Sequence, residues 1–426
     1  MDLNKILSDM KNCPCGKEHT FATKVVEISS GLVNRVGAVL TEANFPKKLL
    51  FVADENSLGA SAGLIESLTA AGFVLKKVIY PDVRTARIEG VRELEALCYD
   101  VDAVLSVGTG SINDMCRVAS YQMGKRFAIF ATAPSMDGFA SDTAPIIENN
   151  FKNSFRAEQP EIILADTKIL ADSPVELKAA GFGDIIAKYI GLVDWKISNL
   201  LTDEYYCDAI ADLTMKAINK VVAMGEHVTD ANEEAAGSIM EALVFTGLAM
   251  KLAGTSRPAS GAEHVVSHFW ECRKLLDGVW PGYHGTKVGV ATVLINRIYR
   301  NIASRVTEID PIPDPTDWET VKAVFGEKMV DEMMKLNTPT ITDTIDLARL
   351  KAKWPEIRTL ILDTLPTDEE MVRMMKTAGA VITPEDVHVD AKLFEEGLRY
   401  HAYMRYRVLL TRLMGMMQID IMDYLQ

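Results

Sequence analysis

At 426 residues the chain is too long for one ordinary core, and two domains are the expectation. Apolar residues make up 48% and charged residues 24%, the mix of a globular protein, and no run of about 18 apolar residues offers a membrane span. The formal net charge of −14 argues against a nucleic-acid backbone as partner, yet a few local cations could still hold a small anion.

The start, MDLNKILSDMKNCPCG, carries an early acid and no apolar stretch of the secretory kind. Six cysteines in this length do not make a disulfide scaffold, so a reducing cytoplasm is expected. Cys13, Cys15 and His19 in CPCGKEH form a cluster that could bind metal. Its spacing matches no standard zinc knuckle and no fourth ligand is evident; the alternative is an N-terminal turn with free thiols.

Short β-rich apolar runs follow at 47–56, 73–81, 102–108, 127–134 and 161–167, and helical patterns separate most of them. Strands alternating with helices predict a parallel sheet with crossover helices. Near residue 170 the strand signals stop. Amphipathic patterns then run over roughly 172–200, 203–226, 230–253, 258–276 and 285–304, with several more to the end. PIPDPTDW (311–318) punctuates them as a Pro-rich turn. The expected organisation is an α/β domain over 1–170 and an all-α domain over 171–426, with a ligand cleft between them. The stretch 393–417 reads as one helix, apolar on one side and dense in Arg on the other. It could pack, line the cleft or meet a second subunit.

GTGSIND (108–114) ends the strand at 102–108 and opens a helix. Gly108 and Gly110 let the backbone approach a ligand, and the helix start offers free N–H groups to a phosphate. The spacing is not G-x-G-x-x-G, so an ordinary glycine turn explains it equally well. Asp54 and Glu55 end another strand, where a carboxylate can accept from ribose hydroxyls, and TAPSMDG (132–138) ends a third. In a parallel sheet these loops share one edge.

Three of the seven histidines gather in GAEHVVSHFW (261–270) and YHGTKVG (283–289). His264 and His268, four apart, share a helix face, and His284 follows. Asp184 in GFGDIIAKY (181–189) could complete a set of two imidazoles and one carboxylate suited to Zn²⁺, Ni²⁺ or Fe²⁺. Asp184 could instead cap its helix, and spacing alone does not say which two histidines bind.

SRPASGAEHVVSH (256–268), YHGTKVGV (283–290), GFGDIIAKY and TAPSMDGFAS (132–141) closely resemble bacterial glycerol-1-phosphate dehydrogenases, of the iron-containing alcohol dehydrogenase and dehydroquinate synthase-like superfamily. The resemblance runs from about residue 25 to the C-terminal helices and is weaker over CPCGKEH and parts of 305–395. It implies a Rossmann-like dinucleotide-binding domain followed by a helical metal- and substrate-binding domain. It also implies NAD or NADP, one divalent metal, a small phosphorylated triose or glycerol as substrate, and a homodimer. By matching motifs, Asp184, His264 and His284 look like the metal ligands, and His268 and Asp137 look like substrate-side catalytic residues, with His268 or a metal-bound water to relay the C2 proton. Asp54, Gly110, Ser111, Ile112, Asn113, Asp114, Thr132, Ala133, Pro134, Ser135 and Ser141 look like cofactor contacts. The implied reaction is hydride transfer at C2 between sn-glycerol 1-phosphate and dihydroxyacetone phosphate.

The substrate phosphate then needs donors, and Arg257 and Lys188 are candidates, each with a plain salt bridge as the alternative. Asp54 favours NAD, while Arg84 and Arg87 could tolerate a 2′-phosphate. Four other readings compete: a polyol dehydrogenase, a dehydroquinate synthase-like cyclase, a non-catalytic metabolite binder, and an oxygenase using the same ligand set.

Overall fold

The computed structural model describes residues 1–148 and 151–426. Among the described residues eight strands form: β1 (Val25–Ser29), β2 (Lys48–Asp54), β3 (Val74–Tyr80), β4 (Ala103–Gly108), β5 (Arg126–Ala131), β6 (Thr143–Glu148), β7 (Phe151–Arg156) and β8 (Ile162–Asp166). Six of them make one parallel sheet in the order β1-β8-β5-β4-β2-β3, and β6 pairs with β7 as a separate antiparallel ribbon.

The alternation along β2 shows why the sheet is covered on both faces. Leu49, Phe51 and Ala53 join one buried cluster, while Leu50 and Val52 join the other. A side-chain period of two puts these sets on opposite faces, and both need helices over them. All five strands expected from the sequence are present. β1 and the β6–β7 ribbon were not anticipated. β1 has five residues, of which only Val26 is buried, and the ribbon is too polar to read as a strand pair.

Long helices follow the sheet: Val175–Ile186, Lys188–Thr202, Asp208–Ala223, Glu233–Ala253, Ala262–Leu276 and His284–Arg305. The expected helix at 172–200 is therefore two, which part at Ala187. Glu233–Ala253 is long and apolar enough to cross a membrane, but 78% of its apolar window is buried inside the protein, as in a core helix. The first twenty residues, expected with the α/β half, pack on these helices. Met1 N pairs with Glu241 and His19 Nδ1 bonds Leu252 O.

The single helix expected at 393–417 is corrected. A helix spans Ala391–Tyr400, a 3₁₀ turn spans His401–Met404, and the chain is extended at Arg405 before a short turn at Leu410–Leu413. A helix would point residues two apart to opposite sides. Arg405 and Arg407 both face one cavity, from a segment that leaves the helix and bends through 405–407.

The helix carrying Asp184 and the helix starting at His284 cross at glycines. A Cβ on Gly285 would stand 2.1 Å from the Ala180 carbonyl oxygen, and one on Gly183 would stand 3.2 Å from the Gly289 Cα. Backbone cannot yield there as a flexible side chain could. Gly285→Ala is therefore expected to cost about 1–3 kcal/mol through overpacking, read as a lower urea midpoint with an unchanged m-value.

Candidate metal and cofactor cleft

A cavity opens where the carboxyl ends of the strands meet the helices. β4 runs into Gly108, whose φ of +148° favours glycine, and the Gly110–Gln122 helix starts at once. Its N-cap, Thr109, makes no side-chain cap, so the first-turn N–H groups stay available to an anion. Gly110, Ser111, Asp114, Ser135 and Ser141 line the cavity. Ile112, Asn113, Thr132, Ala133 and Pro134 are buried behind them; Asn113 Oδ1 accepts from Ser106 Oγ at 2.6 Å. Burial pushes the Asp114 carboxyl up to about 6, against the pull of Arg117. Asp54 lies at the end of β2, where it caps the Glu55–Ala60 helix in a box with Ser57. Arg84 lines the cavity over the Trp280 ring and pairs with Asp82, while Arg87 precedes the Ile88–Leu97 helix.

Opposite this turn, Asp184, His264 and His284 each offer a ligand atom, all within 4.8 Å of one another. Asp184 is fully buried. Its Oδ1 takes Lys188 Nζ at 2.8 Å and stands 3.3 Å from His264 Nε2, and its Oδ2 accepts the Asp137 N–H at 2.9 Å. Burial works to raise its pKa, but Lys188 and then His264 outweigh it and hold Asp184 well below the usual carboxylate range. His264 Nδ1 meets Glu263 Oε1 at 2.6 Å, which fixes the ring and aims Nε2 at Asp184. Burial pushes His284 well below the usual imidazole value, with Lys152 adding to the effect. It is neutral and ready to donate a lone pair.

These residues fit a divalent cation. His284 Nδ1 is buried with no hydrogen-bond partner among the described residues, a cost an isolated protein would not carry without reason. One carboxylate and two imidazoles are donors that Zn²⁺, Ni²⁺ and Fe²⁺ all accept.

His268 lies beside this set, its ring 5.5 Å from His284 and 6.2 Å from His264. Its Nδ1 faces Arg405 at 3.3 Å. A guanidinium only donates, so Nδ1 is the acceptor and Nε2 carries the proton. Burial, then Lys152 and Arg405, hold this ring neutral. Asp137 opens onto the cavity and stands 2.6 Å from Lys188 Nζ; burial and then Asp184 raise its pKa.

The two candidate phosphate donors both make the salt bridges that were their alternative reading. Arg257 spends its fork on Glu204, at 2.9 and 2.6 Å, and also donates to Val408 O and Ser198 Oγ. Lys188 is fully buried between Asp137 and Asp184. Besides Arg84, which is paired with Asp82, the cations that face the cavity are Lys152, Arg405 and Arg407. Lys152 is paired with Glu271 at 3.0 Å. Arg405 and Arg407 have no carboxylate within salt-bridge distance among the described residues; Arg407 donates to Ser260 O and Ser256 Oγ. Burial, then Arg257 and Arg405, lower the Arg407 guanidinium to about 9. These were missed in the sequence because their stretch reads as helix, although its density of Arg was visible.

A family profile described as iron-containing alcohol dehydrogenase matches residues 27–174. The chain is 30% identical to the glycerol-1-phosphate dehydrogenase [NAD(P)+] of Halalkalibacterium halodurans, over 95% of this chain and 96% of that one. It is 31% identical to the enzyme of the same description from Geobacillus stearothermophilus, over 93% of each chain. Among solved structures, the NADH-dependent butanol dehydrogenase A of Thermotoga maritima superposes with a TM-score of 0.60 at 15% identity, over 95% of each chain. The iron-containing alcohol dehydrogenase of Corynebacterium glutamicum gives 0.60 at 13%, over 95% of this chain and 97% of that one. At those identities the structures speak for the fold.

Because Glu263 orients His264, Glu263→Ala should weaken divalent-metal binding about 10- to 100-fold, while Glu263→Gln, which keeps an acceptor, should lose little. Competition against a chromophoric chelator measures both; equal affinity in the Ala variant would remove Glu263 from this role.

Proposed function

The chain belongs to the glycerol-1-phosphate dehydrogenase family, and from that premise we propose that it interconverts sn-glycerol 1-phosphate and dihydroxyacetone phosphate with NAD or NADP. In this reading residues 1–170 carry the dinucleotide and 171–426 carry the metal and substrate. Asp184, His264 and His284 would hold one divalent ion, and Gly110, Ser111 and Asp114 would face the cofactor. When bound, the nicotinamide exchanges the hydride and the ion supplies Lewis acidity.

The chain's own residues do the rest. Arg405 and Arg407 offer fixed positive charge to the substrate phosphate, with part of their donor set uncommitted. His268, proton on Nε2, donates to a substrate oxygen and so sets which end of the molecule faces the nicotinamide. Oxidation of the C2 hydroxyl releases a proton, and ketone reduction requires one. Asp137, open to the cavity and 2.6 Å from Lys188 Nζ, is placed to pass it.

The observation that carries the reading is two guanidinium groups without carboxylate partners in the same cavity as a one-carboxylate, two-imidazole set. An unphosphorylated polyol has no use for those charges, which favours the phosphate ester over a polyol dehydrogenase. We further propose a cytoplasmic homodimer whose partner is a small phosphorylated triose or glycerol, with neither nucleic acid nor membrane; the net charge of −14 supports excluding the former.

Hydrogen bonds to a charged group are worth about 1.5–3 kcal/mol, so Arg405→Ala or Arg407→Ala should raise KM for dihydroxyacetone phosphate about 10- to 100-fold. NADH affinity should hold. Arg257→Ala should instead lower stability, since it leaves Glu204 unpaired. His264→Ala should abolish turnover while NADH still binds. Steady-state kinetics with metal-reloaded protein and NADH fluorescence titration test the three cavity variants, and a urea unfolding curve tests Arg257→Ala; wild-type KM in both cavity-arginine variants would sink the phosphate assignment.

A further inference from the structure

The N-terminal cysteine cluster finds in the fold the partner that its own segment lacks. Cys207, 194 positions beyond Cys13, brings its Sγ within 3.4 Å of the Cys13 Sγ. Cys15 Sγ stands 3.1 Å from His19 Nε2. All four donor atoms lie within 4.8 Å of one another. We propose that Cys13, Cys15, His19 and Cys207 hold a structural zinc ion that fastens the N-terminal segment to the helical half.

The geometry is that of a closed tetrahedral site. Zinc–sulfur bonds of about 2.3 Å and a zinc–nitrogen bond of about 2.0 Å place the donors roughly 3.5–3.8 Å apart, close to what the folded chain presents. Three thiolates and one imidazole are soft donors that select zinc over hard cations. No place remains for a water, which separates this site from the cleft.

The groups behind the ligands are set as well. His19 Nδ1 lies 2.8 Å from the Leu252 carbonyl, an acceptor, so Nδ1 carries the proton and the Nε2 lone pair faces the sulfurs. The Tyr205 hydroxyl donates to Cys15 Sγ at 3.3 Å. Gly16, with φ of +79°, turns the chain between Cys15 and His19. Lys17 sits over the Tyr205 ring and donates to Ala253 O, placing a cation beside a site that three thiolates leave net negative. The sulfurs of Cys13 and Cys207 are not bonded, and all six cysteines are free thiols.

The ion would tie three distant places together: the N-terminal turn, the start of the Asp208–Ala223 helix and, through His19, the last turn of Glu233–Ala253. That last turn leads into Ser256, which lines the cleft. The clip is structural, and no substrate contact is assigned to it.

Cobalt substitution of the full-length protein tests this apart from the cleft, whose set holds no sulfur. Cobalt(II) should give a thiolate-to-metal charge-transfer band and tetrahedral visible bands, at one equivalent per chain. The band should persist in His264→Ala and vanish in Cys207→Ser. Zinc-loaded protein should protect Cys13 and Cys15 from alkylation, and chelation should expose them. Should Cys207→Ser not fold, the wild-type spectrum and the alkylation pattern decide. Folded wild type without the charge-transfer band overturns the proposal, as does an intact mass showing a Cys13–Cys207 disulfide.

Discussion

The cleft depends on keeping one carboxylate, Asp184, charged in a place without water. An ionised carboxylate stripped of solvent is unstable unless its neighbours replace what water supplied. Here they are the Lys188 ammonium, the Asp137 N–H and the edge of His264. Each comes from a different part of the chain. Lys188 is the residue one turn on, beyond the break at Ala187. The Asp137 amide comes from the loop after β5, so the sheet itself helps to hold the charge. His264 comes from a helix of its own, braced by Glu263. Glycines at the crossing with the His284 helix let the backbones come close enough for this to happen.

The charge count around Asp184 explains why a divalent ion suits the place. Asp184 and Asp137 share one ammonium, Lys188. Glu271 is matched by Lys152, and the rings of His268 and His284 are held neutral. The surplus near Asp184 is negative, while a few residues away Arg405 and Arg407 hold a positive surplus. One cavity therefore offers a cation site and an anion site side by side. A phosphate ester with an oxygen to be polarised at one end and a dianion at the other matches that pairing.

Much of this was legible in the chain. Continuous apolar runs identify five strands because a doubly covered sheet demands apolar residues on both faces. The residues that bring the metal set together could be read from motif resemblance, since each sits on a regular helix. What escaped was set by tertiary contact. β1 is an edge strand with little to bury, and the β6–β7 ribbon carries Lys152 on a polar sequence. Cys207 lies far from CPCGKEH in the chain, and no local pattern announces it. The stretch 393–417 has a helix-like apolar face, yet its helix ends at Tyr400 and the chain bends through 405–407, where Arg405 and Arg407 meet the cavity.

Arg257 shows how a motif can mark the right place through the wrong atom. SRPASG offered Arg257 as one candidate for the phosphate-reading cation, with a salt bridge as the alternative. Its arginine instead grips Glu204 with both arms of its fork and donates to the Val408 carbonyl. That last bond holds the bent, non-helical stretch from which Arg405 and Arg407 project. Ser256 and Ser260 of the same motif then accept from Arg407 and fix its head at the cavity wall. The motif is thus a brace: it binds the C-terminal segment along its length and so determines where two other guanidiniums stand. A guanidinium left without a carboxylate keeps its charge for a ligand. One already matched, as Arg257 is, has none to offer, and this difference in partners separates the positioning arginine from the two that face the cleft.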